Sequence, residues 1–142
     1  MSLANVNFLS IVVAAIAAWI FGAIYYTTLG KVWLAAQGKT PESCKIENAG
    51  KSTAAKIVPF ILSFVGAVIM GVVLYGILVH TGKFTLRAGV ISGAFCWFGF
   101  VLTTVAVNNA YTSRKLMLTV IDTAHWLGVL VIIGGIIGAW GR

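Results

Sequence analysis

Acidic side chains are almost missing from this 142-residue chain: Glu42, Glu47 and Asp122 are its only Asp and Glu, and all charged residues together make up 9%. Soluble domains carry roughly 25% charged residues, so an ordinary water-exposed globular surface is excluded. Cysteine is nearly as scarce, with Cys44 in a connector and Cys96 in an apolar run, a placement that argues against a disulfide between them. No G-x-S-x-G, H-E-x-x-H, P-loop or G-x-G-x-x-G occurs in a usable context. The formal charge of +7 does not point to nucleic acid, since the Lys and Arg residues are spread over connectors without a basic and aromatic patch. They read as topology signals and as contacts for anionic lipid headgroups.

What the chain does have is hydrophobic length. Sixty per cent of its residues are hydrophobic, concentrated in four stretches at about 6–29, 57–80, 86–107 and 116–140. Each is long enough to span a bilayer as a helix, which needs about 20 residues. The expected fold is all-α: residues 1–142 form one integral membrane domain of four transmembrane helices. The first stretch does not read as a cleavable signal, because no Lys or Arg precedes it and its apolar run is too long. Seven Lys and Arg fall in connectors one and three (Lys31, Lys39, Lys45, Lys51, Lys56, Arg114, Lys115) against three on the other side (Lys83, Arg87, Arg142). This bias places those two connectors in the cytoplasm and both termini on the outer side. In the long connector at about 30–56, Thr40-Pro41-Glu42 predicts the start of a short surface helix, with Thr as N-cap and Pro in the first turn. Trp33, close to Lys31, reads as an interfacial anchor.

In lipid, close helix contact is carried by small residues. The third stretch places Gly89, Ser92, Cys96, Gly99, Thr103, Ala106 and Ala110 at alternating spacings of three and four, and the fourth places Ala124, Gly128, Val131, Gly135 and Gly138 likewise. Ala15, Ala18 and Gly22 form a shorter series on the first. Such spacing predicts left-handed crossings near +20° and a tight antiparallel hairpin of spans three and four, with span one beside it.

Asp122 lies roughly 9 Å, and His125 roughly 14 Å, beyond the start of the fourth span. Both are therefore expected within the hydrocarbon, on one helix face with Thr119 and about opposite the glycine seam. A carboxylate near the bilayer centre costs about 2.5–3.5 kcal/mol on insertion scales, so it must be paired, protonated or hydrated. Candidate partners share its leaflet: Tyr25, Tyr26, Thr103, Thr104, Asn108, Asn109 and Thr119, with Arg114 able to reach inward from the loop. Asp122 and His125 with these neighbours are the candidate ligand or proton site. The same network also reads as a device that fixes helix register.

Metal and haem readings fail on ligands and depth. Asp122 and His125 resemble one arm of a bundle metal site, but such sites need further carboxylates. His80 and His125 would be on the order of 15 Å apart along the membrane normal, too far for one iron. No metal and no cofactor is expected.

At this point a resemblance enters. W-x-x-G-x-x-Y-Y (Trp19, Gly22, Tyr25, Tyr26), L-G-x-x-W (Leu29, Gly30, Trp33), G-F-x-x-x-T before Asn108, I-D-x-x-H in the fourth span and G-x-x-x-G-A-W at its end (Gly134, Gly138, Ala139, Trp140) follow in order. Together they resemble a bacterial family of short four-helix membrane proteins, domain of unknown function 1761. The resemblance covers essentially the whole chain and implies the four-span topology and a bacterial inner membrane, with no substrate.

Two function classes remain. One is a non-enzymatic membrane module, a homo-oligomer or an accessory subunit of a larger membrane complex, surrounded by lipid. The other is a small proton-linked transporter or channel using Asp122 and His125. An enzyme is disfavoured, because no nucleophile is paired with a base.

Overall fold

A side-chain oxygen stands ahead of each helix but the last. Asn7 Oδ1 accepts from the Ser10 N–H (3.0 Å), Thr40 Oγ1 from Ser43 (3.1 Å), Ser52 Oγ from Ala55 (3.2 Å) and Thr85 Oγ1 from Ala88 (3.1 Å). Each satisfies a backbone donor that the first helical turn leaves without an internal partner. In the computed structural model, which describes residues 6–142, these caps begin α1 (Phe8–Ala36), α2 (Pro41–Ala49), α3 (Thr53–Thr81) and α4 (Leu86–Tyr111). The last helix, α5 (Leu116–Trp140), follows Lys115 without a side-chain cap. No strand occurs among the described residues. Helices α1, α3, α4 and α5 are each long and apolar enough to cross a membrane, the architecture of a multi-pass membrane protein. α3 stops at Gly82, whose left-handed φ of 67° is the conformation glycine adopts without a Cβ penalty.

α5 occupies the centre and packs against α4, α1 and α3. Ile133 and Ile137 are completely buried, and they meet Ile11, Ala14 and Ala15 of α1 and Leu74 and Leu78 of α3 in one apolar core. That core lies at the end of the bundle that holds the first turns of α1 and the last turn of α5. Asn7 ties the two together by donating from Nδ2 to the Trp140 carbonyl (3.1 Å).

The α4–α5 contact departs from the expected alternating seam. A Cβ on Gly89 would lie 1.8 Å from the Gly134 carbonyl oxygen, and one on Gly93 would lie 2.3 Å from that of Leu130. Gly138 faces Thr85 and Gly89 in the same way. The touching positions are thus Gly89 and Gly93 against Leu130, Gly134 and Gly138, at a spacing of four rather than three and four. Gly135 meets only the side chains of Leu86 and Val90, Gly128 meets the Phe21 ring of α1, and Ala124 is exposed. On α4, Ser92 and Cys96 are half-buried, whereas Gly99 and Thr103 face outward. The seam ends there because residues Trp97–Leu102 form a π-helical turn, which adds a residue to the turn and rotates every later position out of phase. Trp97 itself reaches across to α5, its indole N–H donating to the Thr123 carbonyl (2.7 Å), and the Thr103 hydroxyl covers the Gly99 carbonyl (2.8 Å).

α1 also runs about two turns beyond its expected end near residue 29, through Gly30 to Ala36. The true connector is correspondingly short. Its helix α2 is amphiphilic and exposed, closed by a reciprocal Thr40–Ser43 cap. Glu47 bridges Lys39 (2.6 Å) and Lys51 (2.8 Å). Hydrogen bonds and charge from these two lysines hold its carboxyl down at about 2, and Glu47 in turn raises Lys39.

Candidate functional site

Because α1 continues through Gly30, Tyr26 and Trp33 fall seven residues apart, two turns along one face. Their rings touch edge to face at 5.2 Å between centroids. Both point at the second turn of α5. The Tyr26 hydroxyl donates to Asp122 Oδ1 (2.9 Å), and the Trp33 indole N–H donates to the same oxygen (3.0 Å). Tyr25 passes beside the carboxylate and donates instead to the Ile121 carbonyl (2.9 Å). A small apolar cluster of Ala36, Leu118 and Ile121 closes the site on the α2 side, with Tyr25, Tyr26 and Trp33 packed on it. Asp122 is thus half-buried, bonded across the helix interface rather than to a cation.

Trp33 is therefore not only an interfacial anchor: its indole reaches inward to the carboxylate. Of the other expected partners, Asn109 donates to Thr119 Oγ1 (3.0 Å) and joins α4 to α5 one turn away. Thr123, on the same helix, back-bonds to the Thr119 carbonyl (2.7 Å). Asn108 and Arg114 are exposed, and neither side chain bonds Asp122. Thr103 and Thr104 also face outward. The neighbouring loop cation that does reach across is Lys115, which donates to the Ala35 carbonyl at the end of α1 (3.2 Å).

His125 lies one turn further into α5 and is 8% exposed. Gly22 makes room for it, since a Cβ there would stand 2.8 Å from His125 Nε2. The imidazole stacks on Phe21 (6.1 Å, 8°) and touches Tyr25, Tyr26 and Trp126, its nearest ring centroid being that of Tyr26 at 4.8 Å. Its Nδ1 is buried without a hydrogen-bond partner. Asp122 and His125 do not bond each other; Tyr26 contacts both. Among the described residues, no group of three His, Cys, Asp or Glu comes together.

The family model described as "Protein of unknown function (DUF1761)" matches residues 9–138. The chain belongs to this family. No curated protein and no solved structure matches it. Within the DUF1761 region fall Tyr26, Trp33, Asp122 and His125, so the network lies wholly inside the part that the family model describes.

Proposed function

We propose that the chain is a non-enzymatic membrane module that acts as a homo-oligomer or as an accessory subunit, joined through the outer face of α4. The observation that carries this reading is that face itself. Gly99 in the π turn and Thr103, Thr104 and Asn108 beyond it are all exposed, and a Cβ on Gly99 would meet nothing within 4 Å. The Asn108 side chain has no hydrogen-bond partner among the described residues. Small residues and an unsatisfied amide on a lipid-facing helix favour a second helix over acyl chains. The engagement of Asp122 by two donors supports a structural rather than a reactive role for the acid. The excess of Lys and Arg in the first and third connectors supports an orientation with the α2 side cytoplasmic, and the family resemblance is what favours a bacterial inner membrane.

The test is the mass of the detergent-solubilised protein by light scattering, with cross-linking in native membranes beside it. Gly99→Ile with Asn108→Leu leaves the chain's own packing untouched and is expected to shift the complex to monomer or to release its partner. Unchanged association in the double variant would refute the α4 contact.

A second reading is proton-linked transport through Asp122 and His125, supported by the unpartnered His125 nitrogen close to the acid. Proteoliposome flux after a pH jump decides it: transport predicts flux that Asp122→Asn abolishes while the variant stays folded, and the module predicts no flux in either.

A further inference from the structure

Between α1, α3 and α5 lies a cavity of about 410 Å³, within the size range of small-molecule sites, roughly 300–1,000 Å³. Trp19, Tyr26, Phe60 and Trp126 give it aromatic walls, and His125 and Gly22 line it where α1 meets α5. Phe60 is 61% and Trp19 40% exposed, so the cavity opens sideways toward the lipid.

Its polar lining is already used, with two exceptions. The Trp19 indole donates to Ser63, Ser63 to the Phe60 carbonyl, Thr27 to the Ala23 carbonyl and Tyr26 to Asp122. The imidazole of His125 and the indole N–H of Trp126 have no hydrogen-bond partner among the described residues. A neutral imidazole carries one N–H and one lone pair. An orphaned donor is rarer in proteins than an orphaned acceptor. A proton on the sealed Nδ1 would be buried with nothing to accept it, which favours the tautomer with the proton on Nε2, beside Gly22 at the cavity. What the cavity lacks is an acceptor. No Lys or Arg lines it to hold an anionic headgroup, and no carboxylate lines it to hold a cation.

We propose that this cavity binds a flat, uncharged, lipid-soluble ring compound with a ring carbonyl, of the quinone class. The carbonyl accepts from His125 Nε2, and the ring lies against the aromatic walls, where stacking adds to burial. A bare acyl chain would fill the volume and leave His125 unpaired; a fatty acid would bring a charge with no counterpart. The proposal is independent of the assembly through α4.

The experiment is equilibrium binding of 2-methyl-1,4-naphthoquinone to the full chain in phosphatidylcholine nanodiscs, with 2-methylnaphthalene as the same ring system without carbonyls. The expected result is saturable binding of one quinone per chain, about tenfold tighter than the hydrocarbon, as one buried hydrogen bond would give. His125→Leu is expected to remove that preference. Ala23→Phe, at an exposed cavity-lining position that does not enter the core, is expected to abolish binding of both compounds while the melting temperature holds. Equal affinity of wild type for the two ring compounds, unsaturable uptake equal to that of empty nanodiscs, or full quinone binding by Ala23→Phe would each overturn the proposal.

Discussion

At the end of the bundle that carries the termini, α4 and α5 meet backbone to backbone, with Gly89 against Gly134 and Gly93 against Leu130. At the α2 end the same two helices are linked by single side chains, Trp97 to the Thr123 carbonyl and Asn109 to Thr119, and α1 supplies the cover instead. Residues 53–62 of α3 are exposed there throughout, with Pro59 among them leaving the Ala55 carbonyl without its helical donor. One end is held by close van der Waals contact of glycine surfaces, the other by hydrogen bonds from Tyr and Trp to an acid. In lipid there is no hydrophobic drive to pull helices together, so each end needs a specific device. The glycine end tolerates almost no added atom, while the polar end has room for a cavity.

The sharpest way to break the contrast is to add a methyl group at the glycine end. Gly134→Ala would place its Cβ 2.2 Å from the Gly89 carbonyl oxygen, and we expect loss of the folded protein or destabilisation of more than about 3 kcal/mol. Recovery of a monodisperse variant with unchanged unfolding in detergent would show that the backbones part easily. Next comes the polar end, where Asp122→Leu strands the Tyr26 and Trp33 donors; we expect a loss of about 2–4 kcal/mol. Asp122→Asn keeps a carbonyl acceptor, so about half that loss is expected, read from the same unfolding curves.

A finer test asks whether Tyr26 and Trp33 act as a unit. Tyr26→Phe and Trp33→Phe should each cost roughly 1 kcal/mol. Because both bond the same carboxylate oxygen, the double variant should deviate from additivity by about 0.5 kcal/mol or more. Strict additivity would mean that the two bonds are independent. The smallest effect lies outside the spans. The Glu47 carboxyl is lowered to about 2, so what it contributes to α2 is fully present above its ordinary range and is lost as pH falls through about 2. Amide protection factors in residues 41–49 should therefore stay constant from about pH 7 to about 5 and fall as pH drops from about 4.5 toward 2; protection that does not change across that lower range would show that the Lys39 and Lys51 bridges do not hold in solution.

The reach of the sequence differed between elements for identifiable reasons. Four apolar runs are read directly from composition, and Thr40-Pro41 marks α2, because capping is chemistry confined to a few neighbouring residues. Asp122 announced itself as a buried acid, and the structure brings Tyr26 to it. The helix runs on to Ala36, whereas a first span ending near 29 puts Trp33 at the membrane surface. The signal lay in its seven-residue distance from Tyr26, legible only to a reader who lets the helix pass through Gly30. Counting at 3.6 residues per turn carries the α4 seam past its true end, because it cannot anticipate the π turn at Trp97–Leu102. The paired spacing of four in Gly134 and Gly138 was the better guide.

Hydrophobic length and charge scarcity, properties of the chain alone, settled that this is a four-span helical protein with one acid that must find donors. Which donors it found, which glycines touch, and that His125 sits unpartnered beside a cavity were decided by the packing of α1 on α5. The physical reason is range: hydropathy and capping act within a helix, whereas an interhelical hydrogen bond depends on rotation and depth. Those are set jointly by every residue at the contact.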